Sequence, residues 1–589
     1  MKRVFRQILG WGMMLTLPLV MTSCEWFFDM LDNPITPALQ VLRAQLTLKV
    51  GESKPIQAST QAHVVLLYSS DNPAVATIDA TGLITAVSPG TARITIKAQG
   101  EDDYYRTEIF SENTTTVEVT VIPAKAAGSI SFAAPSVSKK VGDAAFTNPL
   151  TIVGDGVATY ESSNEEVATV DATTGEVTIV GSGTANITAT MANGDGYAYE
   201  TKSVAYAIEV DHNINLALVN FNFTAHDGDI LTGTLAGNYK ISIAAGASVE
   251  LKDVTINGGN NSSTNWAGLT CDGNATITIT GTNTVKGFYY EYPGIQAGPK
   301  DCTLTISGAG SLTATGGDYA AGIGSGMNAT CGAITISGGT VNANSSQDGA
   351  GIGSGRNGSS CGDITISGGT VTASSAQYGA GIGSGYKNSS CKNITISGGT
   401  VMASSSNAGA GIGSGYANSS CGDISISGGD ITASSSQYGA GIGSGYANSS
   451  CKNITISGGT IVATSTKDGA GIGSGYFKSS CSAISISGGT ITAISYEDGA
   501  GIGSGQDSSF GSITITSDIT KVQATTNNSN AWPIGKGLDD NTSTGAVTIA
   551  KVTVTGRSWT STSLPGLNFA TSSTGGDDNL TWTLTPKVP

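Results

Sequence analysis

Cys361-Gly-Asp-Ile-Thr-Ile-Ser-Gly-Gly-Thr-Val-Thr-Ala-Ser-Ser-Ala-Gln-Tyr-Gly-Ala-Gly-Ile-Gly-Ser-Gly-Tyr-Lys-Asn-Ser-Ser390 is one copy of a unit that recurs along this chain. Its Gly-Ala-Gly-Ile-Gly-Ser-Gly segment returns with the isoleucine at 352, 382, 412, 442, 472 and 502, a period of 30 residues without drift. Looser versions at Leu269, Ile295, Ile323 and Ile534 join these six to give ten turns. Within the copy, Ile364/Ile366, Val371/Ala373 and Ala380/Ile382 alternate with small or polar residues, the period-two pattern of short strands. A strand this short cannot bury its apolar face alone. Stacked identical coils set each strand beside its counterpart and bury a continuous apolar column, so the pattern predicts a parallel β-helix of about ten coils. At ~4.8 Å per coil it would be about 50 Å long. A β-propeller is the structural alternative, but its blades need ~40 or more residues and four strands.

Composition narrows the function classes. Of 589 residues, 82 are Gly and only 12% are charged, yet 39% are hydrophobic, too many for a disordered low-complexity chain. There is no three-residue glycine period, which excludes collagen. The net charge of -16 repels phosphate backbones and anionic lipid surfaces, so no nucleic-acid partner is expected. The three histidines, His63, His212 and His226, are widely separated, and no metal or cofactor is expected.

The first residues set the compartment. Lys2, Arg3 and Arg6 precede an apolar run from Ile8 to Met21, too short to span a bilayer and followed by Thr22-Ser23-Cys24. Met21-Thr22-Ser23-Cys24 resembles the lipobox of bacterial lipoproteins, which implies cleavage after Ser23, a lipid on Cys24 and contact with the outer membrane through that lipid alone. Glu25, Asp29 and Asp32 are similar to a surface-export tract of such lipoproteins.

Two further segments repeat each other. Ser69-Ser-Asp-Asn-Pro-Ala-Val-Ala-Thr-Ile-Asp79 with Gly90-Thr-Ala-Arg-Ile-Thr95 is matched by Ser162-Ser-Asn-Glu-Glu-Val-Ala-Thr-Val-Asp171 with Gly183-Thr-Ala-Asn-Ile-Thr188. Alternation between turn signals predicts β-sandwiches. Both copies resemble the group 2 bacterial immunoglobulin-like domain, which implies cell-surface spacers. The expected organisation of this all-β chain is a signal peptide at 1–23, a linker at 24–39, Ig-like domains at 40–123 and 124–211, the β-helix at 212–535 and a cap at 536–589, with Trp532, Trp559 and Trp582 closing the stack.

Several motifs within the repeats suggest chemistry. Gly-x-Gly-x-Gly is similar to a phosphate loop, but such a loop needs one copy leading into a helix, and here six copies precede no helical pattern. The cysteines at 331, 361, 391, 421, 451 and 481 form a column with Phe510 in the next coil, which favours packed free thiols over a metal array; their expected Cβ spacing of ~4.8 Å exceeds what a disulfide wants. Parallel β-helices resemble polysaccharide lyases and polygalacturonases, whose chemistry needs clustered carboxylates. Residues 321–510 hold eight acids and six bases, mostly scattered. Lys467-Asp468 beside Glu497-Asp498 is the tightest group and reads as a solvated turn.

The surface remains. If Ala380 and Ile382 face inward, Gly381 and Gly383, like Gly411 and Gly413, face outward as a bare strip, flanked by Tyr378 and Tyr438 on one side and by Tyr386, Tyr416, Tyr446 and Tyr476 on the other. Glycine permits close approach, and exposed tyrosines suit the apolar faces of sugars; the same glycines could instead make thin walls that tyrosine shields. The expectation is a non-enzymatic surface lipoprotein, an adhesin binding extracellular glycan or a host or neighbour cell-surface component through these ten residues. The alternative is a secreted carbohydrate-active enzyme.

Overall fold

Short runs of Thr, Val and Ile between Gly-Ser and Asp-Asn turns offer this chain one regular conformation, and every regular element among the described residues is a strand. The computed structural model describes residues 36–60, 64–100, 111–125, 127–192, 199–259, 262–516, 518–543 and 545–549, with 552–556, 567–569, 573–575 and 581–586 beyond. Cys24, the expected signal segment and Trp559 lie outside the described residues. Among the described residues, those through Ser131, with Leu150–Thr159 and the stretch between Ala189 and Val204, form one compact unit; Phe132–Pro149, Tyr160–Thr188 and those from Ala205 onward form the other.

The first Ig-like domain is a sandwich. A four-stranded sheet runs in the order Gln45–Lys49, Asn113–Ile122, Gly90–Gly100, Val64–Ser70, and a three-stranded sheet in the order Ser53–Pro55, Leu83–Ala86, Ala76–Ile78. Alternate residues of both sheets, among them Leu48, Ala76, Ile84, Ile94, Ile96 and Val119, fill the space between them. The repeated Asp residues hold turns: Asp79 Oδ1 accepts from the backbone N–H of Thr81 and Leu83, and Asp171 Oδ1 from those of Thr173 and Thr174. In the second copy Ser136–Lys139 again pairs in parallel with the last strand, Lys202–Val210. Phe146–Thr147, Glu176–Ile179 and Ala168–Val170 repeat the three-stranded sheet. Val177, Ile187 and Ile208 of this copy share one core with Ile214, Leu216 and the coils that follow.

A β-solenoid occupies the rest. Twelve parallel strands, from Phe223–Ala225 to Ile534–Gly535, form one sheet. Ten are the turns counted from Leu269 to Ile534; Phe223–Ala225 and Ile241–Ile243 precede them in coils that lack the glycine segment. In the regular coils the strands repeat without slip, Ile382 opposite Ile412 and Ile412 opposite Ile442. The coil from Ser390 holds Ser390–Cys391, Ile394–Ile396, Thr400–Ser405 and Ile412–Gly413. Three of these match the alternating stretches. The fourth, Ser-Cys, is too short to alternate. Ile394, Ile396, Val401, Ala410 and Ile412 are wholly buried, so each isoleucine column is a continuous apolar seam.

The glycine strip is not exposed, which corrects the expectation for Gly381, Gly383, Gly411 and Gly413: all four are buried. A Cβ at Gly381 would lie 2.5 Å from Ser404 N and 2.7 Å from Gly411 O; one at Gly383 would lie 1.8 Å from Gly413 O. The side of the strand that alternation assigned to solvent is filled by neighbouring backbone. Gly383 and Gly413 also have φ of +137°, which disfavours any side chain. Buried serines, which alternation did not single out, satisfy this tight backbone. Ser384 Oγ accepts from Gly415 N, Ser405 Oγ from Gly409 N, and Ser419 Oγ donates to Gly385 O and Tyr416 O. At the far end Thr581–Pro586 pairs antiparallel with Ile519–Thr526, and its fully buried Trp582 meets Trp532 edge-to-face at 6.1 Å.

Gly413→Ala should therefore destabilise the protein by about 3 kcal/mol or more, because a positive φ and a backbone clash act together. The urea midpoint checks this, with Ala417→Gly as the comparison; Ala417 already has φ of +60° on an open corner, and its change should cost less than about 1 kcal/mol.

Candidate functional site

Each regular coil turns a corner after the glycine segment through residues with left-handed backbone, Lys387 and Asn388 in one coil, Ala417 and Asn418 in the next. Asn tolerates this conformation, which accounts for the Asn column at 388, 418 and 448. The residue entering the corner is Tyr386, Tyr416, Tyr446 or Tyr476. Its position is fixed by backbone: Tyr416 N donates to Tyr378 O at 3.0 Å, Tyr446 N to Ala408 O at 3.0 Å and Tyr476 N to Tyr438 O at 2.8 Å.

These four tyrosines form a ladder. Ring centroids are 5.1, 4.9 and 5.3 Å apart and the planes differ by 16°, 11° and 9° from Tyr386 to Tyr476. Tyr378 leans on Tyr386 and Tyr416 at 5.2 and 5.4 Å, and Tyr438 on Tyr446 and Tyr476 at 5.2 and 5.9 Å. The structure thus brings all six tyrosines together, half-buried. Their faces, expected to be open to sugar rings, cover one another; edges and hydroxyls are what the ladder presents. Burial, then neighbouring phenols, hold the Tyr416 and Tyr446 hydroxyls above the usual value.

Charged groups close both ends. The Arg356 guanidinium lies 4.6 Å from the Tyr319 ring centre and 5.0 Å from that of Tyr386, and Arg356 Nη1 donates to Asp348 Oδ2 at 2.8 Å. Asp348 is 3% exposed, and burial raises its carboxyl despite Arg356. At the other end Phe477 meets Tyr476 edge-on at 5.9 Å, and Lys467 Nζ lies 5.7 Å from the Tyr438 ring. Asp468, expected on a solvated turn, is half-buried. Burial, Asp498 and Glu497 push its carboxyl up to about 6 against the opposing Lys467.

A second polar constellation was not legible from sequence spacing. His212 and His226 meet at Asp229, 1% exposed: its Oδ1 lies 2.8 Å from His212 Nδ1 and accepts from Ser182 Oγ at 2.5 Å, while its Oδ2 accepts from the His226 backbone N–H at 2.8 Å. His226 joins the group through its backbone alone. A cleft of about 980 Å³ beside it is lined by Glu166, His226, Asp227 and Asp272. Among the described residues no three His, Cys, Asp or Glu side chains are grouped to hold a metal ion.

Residues 35–107 match the family model of the bacterial Ig-like domain (group 2). Residues 152–193 match that of the intimin immunoglobulin-like domain, so the second copy is matched by a different Ig model from the first. Seven segments from 304–327 to 484–506 match the β-helix repeat. Among solved structures, domains 4 and 5 of the S-layer protein SbsC are 19% identical, with 30% of this chain and 96% of that chain covered and a TM-score of 0.15. Human protocadherin-24 EC1-2 is 16% identical over 30% and 98% with a TM-score of 0.19, and the fibronectin(III)-like modules of Clostridium thermocellum CbhA are 14% identical over 29% and 95% with 0.18. No curated protein matches this chain. The Ig-like matches and the β-helix repeat point to an extracellular or surface protein.

Asp468 supplies a pH prediction. A carboxyl raised from 3.8 to about 6 on folding favours the protonated folded state, so the stability it supports is lost as pH rises from about 4 to about 6. Asp468→Asn removes the ionisable group. Thermal melts should show the variant above wild type at pH 7.5, with the difference vanishing near pH 4.

Proposed function

We propose that this chain is a non-enzymatic surface lipoprotein, anchored in the outer membrane through a lipid on Cys24, in which Ig-like spacers carry the solenoid and the tyrosine ladder binds an extended extracellular glycan on a host or neighbouring cell. One observation carries the reading: four parallel tyrosine rings, 4.9 to 5.3 Å apart, line a corner with hydroxyls and edges repeated once per coil. Each phenol gives a hydrogen-bonding group and an apolar edge, and Arg356 adds donors at one end. A contact of ~1 kcal/mol per coil is weak alone, but a polymer spanning several coils rebinds locally, so affinity grows with chain length.

A second reading rests on Asp468. A carboxyl pushed up to about 6 beside Asp498 is the kind of pair that general acid catalysis uses in glycan cleavage. Release of reducing or unsaturated sugar ends by wild type, lost in Asp468→Asn, would establish that reading over the first.

The binding reading predicts that replacing Tyr386, Tyr416, Tyr446 and Tyr476 together by Ala abolishes retention on a glycan array while the far-ultraviolet circular dichroism is unchanged. The corner already accepts Arg356 and Gln506 in neighbouring coils, so the fold should survive. Equal retention of both proteins would remove the ladder from the binding site.

A further inference from the structure

The column of six cysteines takes no part in the ladder, and its geometry carries an inference beyond surface binding. Cys331, Cys361, Cys391, Cys421, Cys451 and Cys481 are reduced in the structure and between 1% and 6% exposed. Backbone register sets Cys361 beside Cys391, Cys391 beside Cys421, Cys421 beside Cys451 and Cys451 beside Cys481. The column ends cleanly. Cys481 faces Phe510 in the next coil. Below Cys331, Thr303 pairs with Ala333, which sets Cys302 against Gly332, one residue out of register.

A row of six with no thiol in register beyond either end has one complete pairing of neighbours: first with second, third with fourth, fifth with sixth. The structure shows the middle contact: Cys391 Sγ lies 3.3 Å from Cys421 Sγ, which leaves Cys331 to pair with Cys361 and Cys451 with Cys481. The outer thiols of Cys361 and Cys481 rest against the backbone of the preceding coil, donating to Gly332 O at 3.7 Å and Lys452 O at 3.5 Å. Adjacent coils place Cα atoms ~4.8 Å apart, within the disulfide range of about 4.4–6.8 Å. The expectation against bridging rested on parallel Cβ atoms alone; in the middle couple the two sulfurs turn toward each other.

We infer that the column is three dithiol couples, Cys331–Cys361, Cys391–Cys421 and Cys451–Cys481, which an oxidant closes into disulfides between adjacent coils. With an azodicarboxamide such as diamide, one thiolate adds to the N=N bond. The partner thiol then displaces it, the Sγ–Sγ bond forms, the S–N bond breaks, and two electrons and two protons leave in the hydrazine product. A cavity of about 390 Å³ lined by Cys302, Cys331, Cys361 and Cys391 gives small reagents a route to the first couples. The neighbouring thiol and burial hold Cys361, Cys421 and Cys451 well above the usual range, so closure accelerates as pH rises. Each bridge staples one coil to the next across 30 residues of chain.

The test treats the full folded chain with diamide at pH 8.5, alkylates remaining thiols in denaturant and maps cross-linked peptides by mass spectrometry. The expected result is the three named bridges, a loss of about 2 Da for each, with Cys271 and Cys302 recovered alkylated. Cys421→Ser should lose one bridge and leave Cys391 alkylated, with the other two intact. Six alkylated column thiols, intermolecular bridges, or Cys361–Cys391 and Cys421–Cys451 linkages in the wild type would overturn the inference. So would a Cys361–Cys391 bridge in the variant. If Cys421→Ser does not fold, the wild-type map decides alone.

Discussion

Backbone contact between coils at the glycine columns is the constraint on which the structure depends. Gly383 has φ of +137°, and a side chain there would collide with Gly413 O at 1.8 Å; the same holds at Gly413 against Gly443 O. In the regular coils only a residue without a Cβ fits at this point, and a fixed coil length returns glycine to it; the earlier coils lay Thr270 on Gln296 there instead. From Ile352 to Ile502 the period of 30 never slips. The isoleucine seams, serine columns, cysteine pairs and tyrosine ladder all inherit that register. A side-chain preference at one corner position thus becomes a linear array. It also converts weak groups into ordered ones: a single half-exposed tyrosine has many rotamers, whereas Tyr416 is held between Tyr386 and Tyr446.

Much of the fold was legible because repetition amplifies weak signals. No single Ile364-Thr-Ile366 identifies a strand, but recurring copies at one spacing do. The first coils, at Phe223 and Ile241, fall inside the β-helix expected from residue 212 but escaped the count of ten turns because they lack the glycine segment, and the Ser390–Cys391 strand escaped because two residues cannot show alternation. The glycine strip was misassigned for a physical reason. Alternation says which side chains share a face; it does not say whether solvent or another backbone occupies the other face. The serines were passed over because small polar residues look the same in sequence whether they face water or satisfy buried N–H groups. His212, His226 and Asp229 were invisible as a group because only the fold brings them together.

The candidate site shows the same split. The six tyrosines were legible as columns, and they do converge. Their mutual stacking was not, since it depends on coil spacing matching the separation at which offset rings attract. That stacking changes the chemistry on offer from ring faces to ring edges and hydroxyls, and places the charged groups Arg356, Asp348 and Asp468 at the ends of the array.

The central claim is that register, rather than the content of any one coil, holds the solenoid together, and deletion against insertion tests it most directly. Removing residues 391–420 takes out one whole coil and leaves every column continuous. Inserting one alanine between Ile412 and Gly413 keeps every coil but shifts a strand by one residue, which reverses its faces. Measured by thermal melting, the deletion should retain a cooperative transition close to wild type, and the insertion should lower it sharply or abolish it. Equal effects, or a deletion more damaging than the insertion, would contradict the account.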